Sequence, residues 1–101
     1  RLKLHIAAVI VNNFTNHLYT LAADYCVKES ADFTLLLPLV HETVNRLQYG
    51  YPGQMQTGPA IRGDSATISQ HLLLLEQSPD LQRIYREMTE NITHFHRKAV
   101  E

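Results

Sequence analysis

The chain has 101 residues, 45% of them apolar and 19% charged, with a formal net charge of −1. Such a length supports one hydrophobic core and not two. The near-neutral balance, with Lys and Arg scattered rather than clustered, excludes the electrostatic footprint of a nucleic-acid or anionic-membrane protein.

A lone cysteine, Cys26, cannot form an intramolecular disulfide, and no secretory signal is visible. The apolar runs Ile6 to Val11 and Leu35 to Val40 are too short to span a bilayer, so a cytoplasmic location is the expectation. The first residue is Arg1 rather than methionine, which suggests a cloned domain, a processed product or a trimmed sequence.

Periodicity predicts a first helix from about Leu2 to Glu29. At 100° per residue, Ala7, Ile10, Val11, Phe14, Leu18, Leu21 and Tyr25 share one side, which is expected to face the core. The opposite stripe carries His5, Asn13, Asn16, His17, Thr20 and Asp24, with Val9 among them. Asn and Thr are poor helix formers, so this stripe costs helix stability and points to specific partners for its amides and imidazoles.

A second helix is predicted after Ser30 or Asp32 as N-cap, with Phe33, Leu36, Leu37, Val40, Val44 and Leu47 at helical spacing. Pro38 lies within it and implies either a kink or a helix that starts nearby. Gly50 and Pro52 end it.

A third helix is expected to start at Asp64 as N-cap and run through Ile68, Leu72 and Leu75, its HLLLL stretch buried on more than one side. The SPDL stretch starts a fourth, with Pro79 at its first position and a stripe of Leu81, Ile84, Tyr85, Met88, Ile92 and Phe95. No alternating pattern competes. The fold class is therefore all-α, four helices with a long first one, in a single helical domain over 1–101.

The connection from Tyr49 to Gly63 holds all four glycines and ends in TGPAIRGD, Thr57 to Asp64. Long connections of this kind tend to be functional or disordered. Gly58 and Gly63 allow unusual backbone conformations, Pro59 stiffens the turn, Arg62 offers a fork for a carboxylate or phosphate, and Asp64 caps the next helix. A plain connector whose Arg62 pairs with a nearby carboxylate accounts for most of these residues as well. The RGD tripeptide is no integrin signal, because a three-residue match is frequent by chance.

Other groups carry less. His94 and His96 sit about 200° apart on a helix, too far round to chelate one metal, so no metal site is expected. His41 and Glu42 occupy adjacent helical positions and form no dyad. His71 reads as a boundary residue and Cys26 as a small buried side chain. Tyr49 and Tyr51 flank Gly50, where they either line a pocket or pack.

Four segments in order, HIAAVIVNNFTNHLYTLA, LLLPLVHETV, TGPAIRGD and HLLLLEQSPDLQRIYREMT, cover nearly the whole chain. Together they resemble a helical C-terminal domain of unknown function in Rossmann-type NAD(P)-dependent oxidoreductases. Those proteins are related to pyrroline-5-carboxylate reductase and ketopantoate reductase, with second domains similar to that of 6-phosphogluconate dehydrogenase. The resemblance implies that Asn13, Asn16 and His17 act as catalytic residues facing the cofactor-bearing domain. It also places Thr57, Gly58, Pro59 and Arg62, with the cap Asp64, in a shaped loop near the interdomain cleft or the dimer contact, where the first four are expected to bind substrate.

Homodimerisation through the helical domain is implied by the same resemblance, as is NADP or NAD held mainly by an N-terminal Rossmann-like domain. This chain has no G-x-G-x-x-G after a strand and no acidic residue placed for a ribose, so it is not expected to transfer hydride alone. The expected function is the substrate-side and dimerisation domain of an enzyme acting on a small carbonyl or imine. The competing expectation is a non-catalytic helical module that dimerises or binds a partner.

Overall fold

The computed structural model describes the backbone of residues 1–100 and the side chains of residues 1–98. Its described residues form helices, turns and loops with no strand, an all-α architecture. They group into two compact units, Arg1–Val44 and Asn45–Glu101.

In the first unit, α1 (Leu2–Ala8), a π-helical segment (Val9–Phe14) and α2 (Thr15–Lys28) run on from one another without a break. This is the long first helix, ending one residue before the predicted limit. The π-helical turn is closed in part by a side chain, since the Thr15 hydroxyl donates to the Ile10 carbonyl at 3.3 Å, five residues back. Each π turn holds one residue more than an α turn, which rotates the later part of the helix by about 100° relative to the earlier part.

The helix ends in a tight reversal. Ser30 adopts a left-handed conformation with φ 56°, and the Ala31 amide donates to the Cys26 carbonyl at 2.8 Å. Asp32 then accepts from the Thr34 amide at 3.0 Å and from the Thr34 hydroxyl at 2.7 Å, which makes it, and not Ser30, the cap of the next segment. A 3₁₀ turn (Phe33–Leu36) leads into α3 (Leu37–Asn45). Pro38 is the second residue of α3, where its missing amide has no intrahelical partner to lose. No kink is needed: of the two alternatives, the helix simply starts nearby.

In the second unit, two 3₁₀ turns (Arg46–Gln48 and Pro52–Met55) and the four-residue α4 (Pro59–Arg62) occupy what the sequence presents as one long connection. Next come α5 (Ser65–Leu74), a 3₁₀ turn (Leu75–Gln77) and α6 (Pro79–Val100). Pro79 opens α6 as predicted, and the Gln82 amide bonds back to the Ser78 carbonyl at 2.9 Å. Two polar contacts join α5 to α6: the Gln82 side-chain amide donates to the Leu72 carbonyl at 2.7 Å, and His71 Nδ1 meets the Tyr85 hydroxyl at 2.7 Å.

The core is small. Among the described residues only Cys26, Ala60 and Leu75 are buried. Two expectations are corrected here. The first concerns the apolar stripe of the long helix, which does not line a core. Val11 is 69% exposed and Phe14 59%, Ile10 and Leu18 are exposed too, and only Leu21 and Tyr25 near the far end are half-covered. The second concerns HLLLL, where Leu75 is buried but Leu73 and Leu74 stand in the open. The physical reason is common to both. An apolar stripe requires cover, but periodicity says nothing about which chain supplies it.

Candidate functional site

Asn13 lies inside the π-helical segment, and Asn16 and His17 lie in the first turn of α2. All three are exposed. The Thr20 hydroxyl donates to the Asn16 carbonyl at 3.1 Å, which engages the backbone of Asn16 and leaves its side chain outward. Among the described residues, none of the Asn13, Asn16 or His17 side chains makes an intrachain hydrogen bond, so their amides and imidazole present free donors and acceptors.

The π-helical segment is what sequence reasoning missed. π-bulges concentrate at functional sites because they are costly to keep and re-aim the side chains they carry. This one spans VIVNNF and brings in a further exposed amide, Asn12, outside the stripe drawn on an ideal helix. Nothing in six such residues distinguishes a π turn from an α turn beforehand.

The TGPAIRGD stretch is a shaped unit. Gly58 takes φ 104° and Gly63 φ 65°, conformations that a Cβ disfavours. Between them Pro59 opens α4, and the Asp64 amide closes it by donating to the Pro59 carbonyl at 2.9 Å. Asp64 caps α5 as predicted, accepting from the Thr67 amide at 3.1 Å and from its hydroxyl at 2.7 Å. These bonds hold the Asp64 carboxyl below its usual range, the Thr67 hydroxyl contributing most and the Arg62 charge adding a smaller pull. The Gln56 side chain ties down the Thr57 carbonyl at 3.1 Å.

Arg62 approaches Asp64 only to 3.7 Å, beyond hydrogen-bond length, and its side chain is 60% exposed. The expected ion pair exists but is loose. Asp64 is already satisfied by Thr67, so most of the five guanidinium donors remain available for an anion.

His71 is more than a boundary residue. Its ring meets Tyr85 edge-on, with centroids 5.6 Å apart, beside their hydrogen bond. Partial burial there raises the Tyr85 phenol above its ordinary value. Of the two tyrosines around Gly50, Tyr51 lines a cleft and Tyr49 projects outward, 80% exposed. Cys26 is buried and free, as its reading as a small packed side chain requires. Among the described residues no three His, Cys, Asp or Glu gather where a metal ion could sit, and no helix is long and apolar enough to cross a membrane.

The chain is similar to a solved crystal structure described as "putative NADP oxidoreductase BF3122 from Bacteroides fragilis". The two share 42% sequence identity and superpose with a TM-score of 0.88, over 91% of this chain. The chain spans only 36% of that protein's length. No curated protein matches it. Residues 1–92 match the model of a domain of unknown function, DUF2520, and the chain therefore belongs to that family.

Proposed function

We propose that this chain is the substrate-side and dimerisation domain of an NADP- or NAD-dependent oxidoreductase acting on a small carbonyl or imine substrate. The observation that carries the reading is the 42% identity, over 91% of the chain, to about a third of a protein described as a "putative NADP oxidoreductase". The bare side of the long helix adds a physical argument. Ile10, Val11, Phe14 and Leu18 form an apolar surface that water alone does not cover favourably, and a second copy of the chain can bury it.

The described residues provide no dinucleotide cradle, since no glycine-rich turn joins a strand to a helix among them. The cofactor's place is on a Rossmann-like domain of the same protein, where it supplies hydride chemistry. The contribution of this chain is then orientation and proton handling. Asn13 and Asn16 hold the substrate's reacting oxygen or nitrogen by hydrogen bonds, His17 gives or takes its proton, and Arg62 with the Thr57–Gly58–Pro59 turn grips a substrate carboxylate.

The test uses the full-length protein. Calorimetry is expected to show binding of NADPH or NADH, light scattering a dimer, and the Asn16→Ala/His17→Ala variant a loss of turnover with nucleotide affinity kept. Unchanged turnover in that variant removes the catalytic assignment. A full-length protein without nucleotide affinity favours the non-catalytic helical module instead.

A further inference from the structure

No residue of α1 or of the π-helical segment is buried, so packing within the chain does not fix the register of the helix there. An α turn is the default for such a stretch, because π turns are rare. Something local has to favour the wider turn, and the bonding at Thr15 supplies it. In an α-helix the Thr15 amide would reach the Val11 carbonyl four residues back, and in a π-helix the Ile10 carbonyl five residues back. It does neither, and donates instead to the Asn12 carbonyl, three residues back. The hydroxyl takes the place of the amide and donates to the Ile10 carbonyl at 3.3 Å.

Two other helical threonines show the difference. The Thr20 hydroxyl donates to the Asn16 carbonyl at 3.1 Å and the Thr43 hydroxyl to the Leu39 carbonyl at 3.0 Å, each four residues back, the ordinary reach of threonine in an α-helix. In that register the backbone amide serves the same carbonyl, so the hydroxyl is an addition. At Thr15 the hydroxyl makes a bond that the amide does not. Its removal takes a partner from the π turn and costs an α turn nothing it needs.

We infer that Thr15 is a positioning residue of the proposed site, holding the π turn that aims Asn12 and Asn13. It acts through the backbone and touches no substrate. Were the π turn to become an α turn, the helix before it would rotate by about 100° against the helix after it, and Asn12 and Asn13 would point elsewhere relative to Asn16 and His17. The inference rests on the proposed function in one respect, the assignment of Asn13, Asn16 and His17 to the substrate. It adds the exposed amide of Asn12 to that group.

The experiment compares the full-length protein with Thr15→Val, which keeps the branched shape and loses the hydroxyl, and Thr15→Ser, which keeps the hydroxyl. Crystal structures read the turn, and NADPH oxidation reads turnover, with pyruvate as a small carbonyl probe that carries a carboxylate. Thr15→Val should show an α turn over Val9–Phe14 and a kcat lowered about tenfold, the scale of a misplaced binding group, with NADPH affinity by calorimetry unchanged. Thr15→Ser should keep both the π turn and the turnover. Circular dichroism checks the fold, and Thr15→Ala takes the place of a valine variant that does not fold.

A π turn that survives the loss of the hydroxyl, a serine variant that behaves like valine, or full turnover without the π turn overturns the inference. If the wild type does not reduce pyruvate, the crystal structures alone decide. The two proposals fail separately. Unchanged turnover in Asn16→Ala/His17→Ala removes the catalytic reading and leaves the role of Thr15 in the turn standing, whereas a π turn kept in Thr15→Val removes this inference alone.

Discussion

Two helix ends in this chain are built to the same geometry from different residues. After α2 the left-handed position is held by Ser30, with the Ala31 amide bonded to the carbonyl five residues back. After α4 the same position is held by Gly63, with the Asp64 amide bonded to Pro59 in the same way. A Cβ is disfavoured in that conformation, so the first end is strained and the second relaxed.

The contrast extends to the units around them. Arg1–Val44 is a long helix with one buried residue, Cys26, and a row of bare apolar side chains, while Asn45–Glu101 makes two polar bridges between α5 and α6 and buries Ala60 and Leu75. The second unit supplies part of its own tertiary structure. The first leaves a face for another surface to complete, and a face of that kind is where assembly can be encoded.

The sharpest way to break this comparison is to charge the bare face. Phe14→Glu in the full-length protein should weaken self-association by about 100-fold or more, because a lone carboxylate would be buried against the partner copy. Sedimentation at micromolar concentration reads it, and an unchanged molar mass would show that the stripe is not the dimer surface.

The glycine of the TGPAIRGD turn comes next in size. Gly58→Ala forces a side chain into φ 104° and should lower stability by about 1–2 kcal/mol, measured by chemical denaturation. At the other helix end the sign reverses. Ser30→Gly removes strain and should raise stability by about 0.5–1 kcal/mol, and a decrease would mean that Ser30 is held by something beyond its backbone.

Tyr85→Phe should cost about 1 kcal/mol, the ordinary worth of a hydrogen bond whose partner, His71, stays partly accessible to water. Smallest of all is the exposed Asp24–Lys28 pair at 3.0 Å, where Lys28→Ala should change stability by no more than about 0.5 kcal/mol.

The two capping aspartates allow a comparison by pH. Asp32 and Asp64 are both held below the ordinary carboxylate value, chiefly by hydrogen bonds from Thr34 and Thr67. A depressed folded-state pKa gives stability that is full above the unfolded value of about 3.8 and is lost as pH falls through the folded value. Acid melting below about pH 4 should therefore be blunted in Asp64→Ala, and a curve parallel to that of the wild type would show that the cap bonds do not form in solution.

The elements themselves were legible because their signals are local. Apolar periodicity marks the long helix, Asp64 and Pro79 start α5 and α6 by cap and ring geometry, and Pro38 restricts α3 to beginning beside it. The shape of TGPAIRGD was legible for the same reason, since glycine and proline constrain the backbone where they stand. The cover of the apolar stripe was not, because period and hydropathy fix a direction on the helix and not the surface it meets.

The sequence by itself thus determined an all-α chain, its helix starts and the amide-rich and glycine-rich stretches that make up the candidate site. Only the tertiary structure decided the rest: the π turn that re-aims Asn12 and Asn13, the meeting of His71 with Tyr85, the loose hold of Asp64 on Arg62, and the cleft between Tyr51 and Phe95. The reason is range. Caps and turns act over a few residues of chain, whereas a cleft joins groups 44 positions apart that no local preference connects.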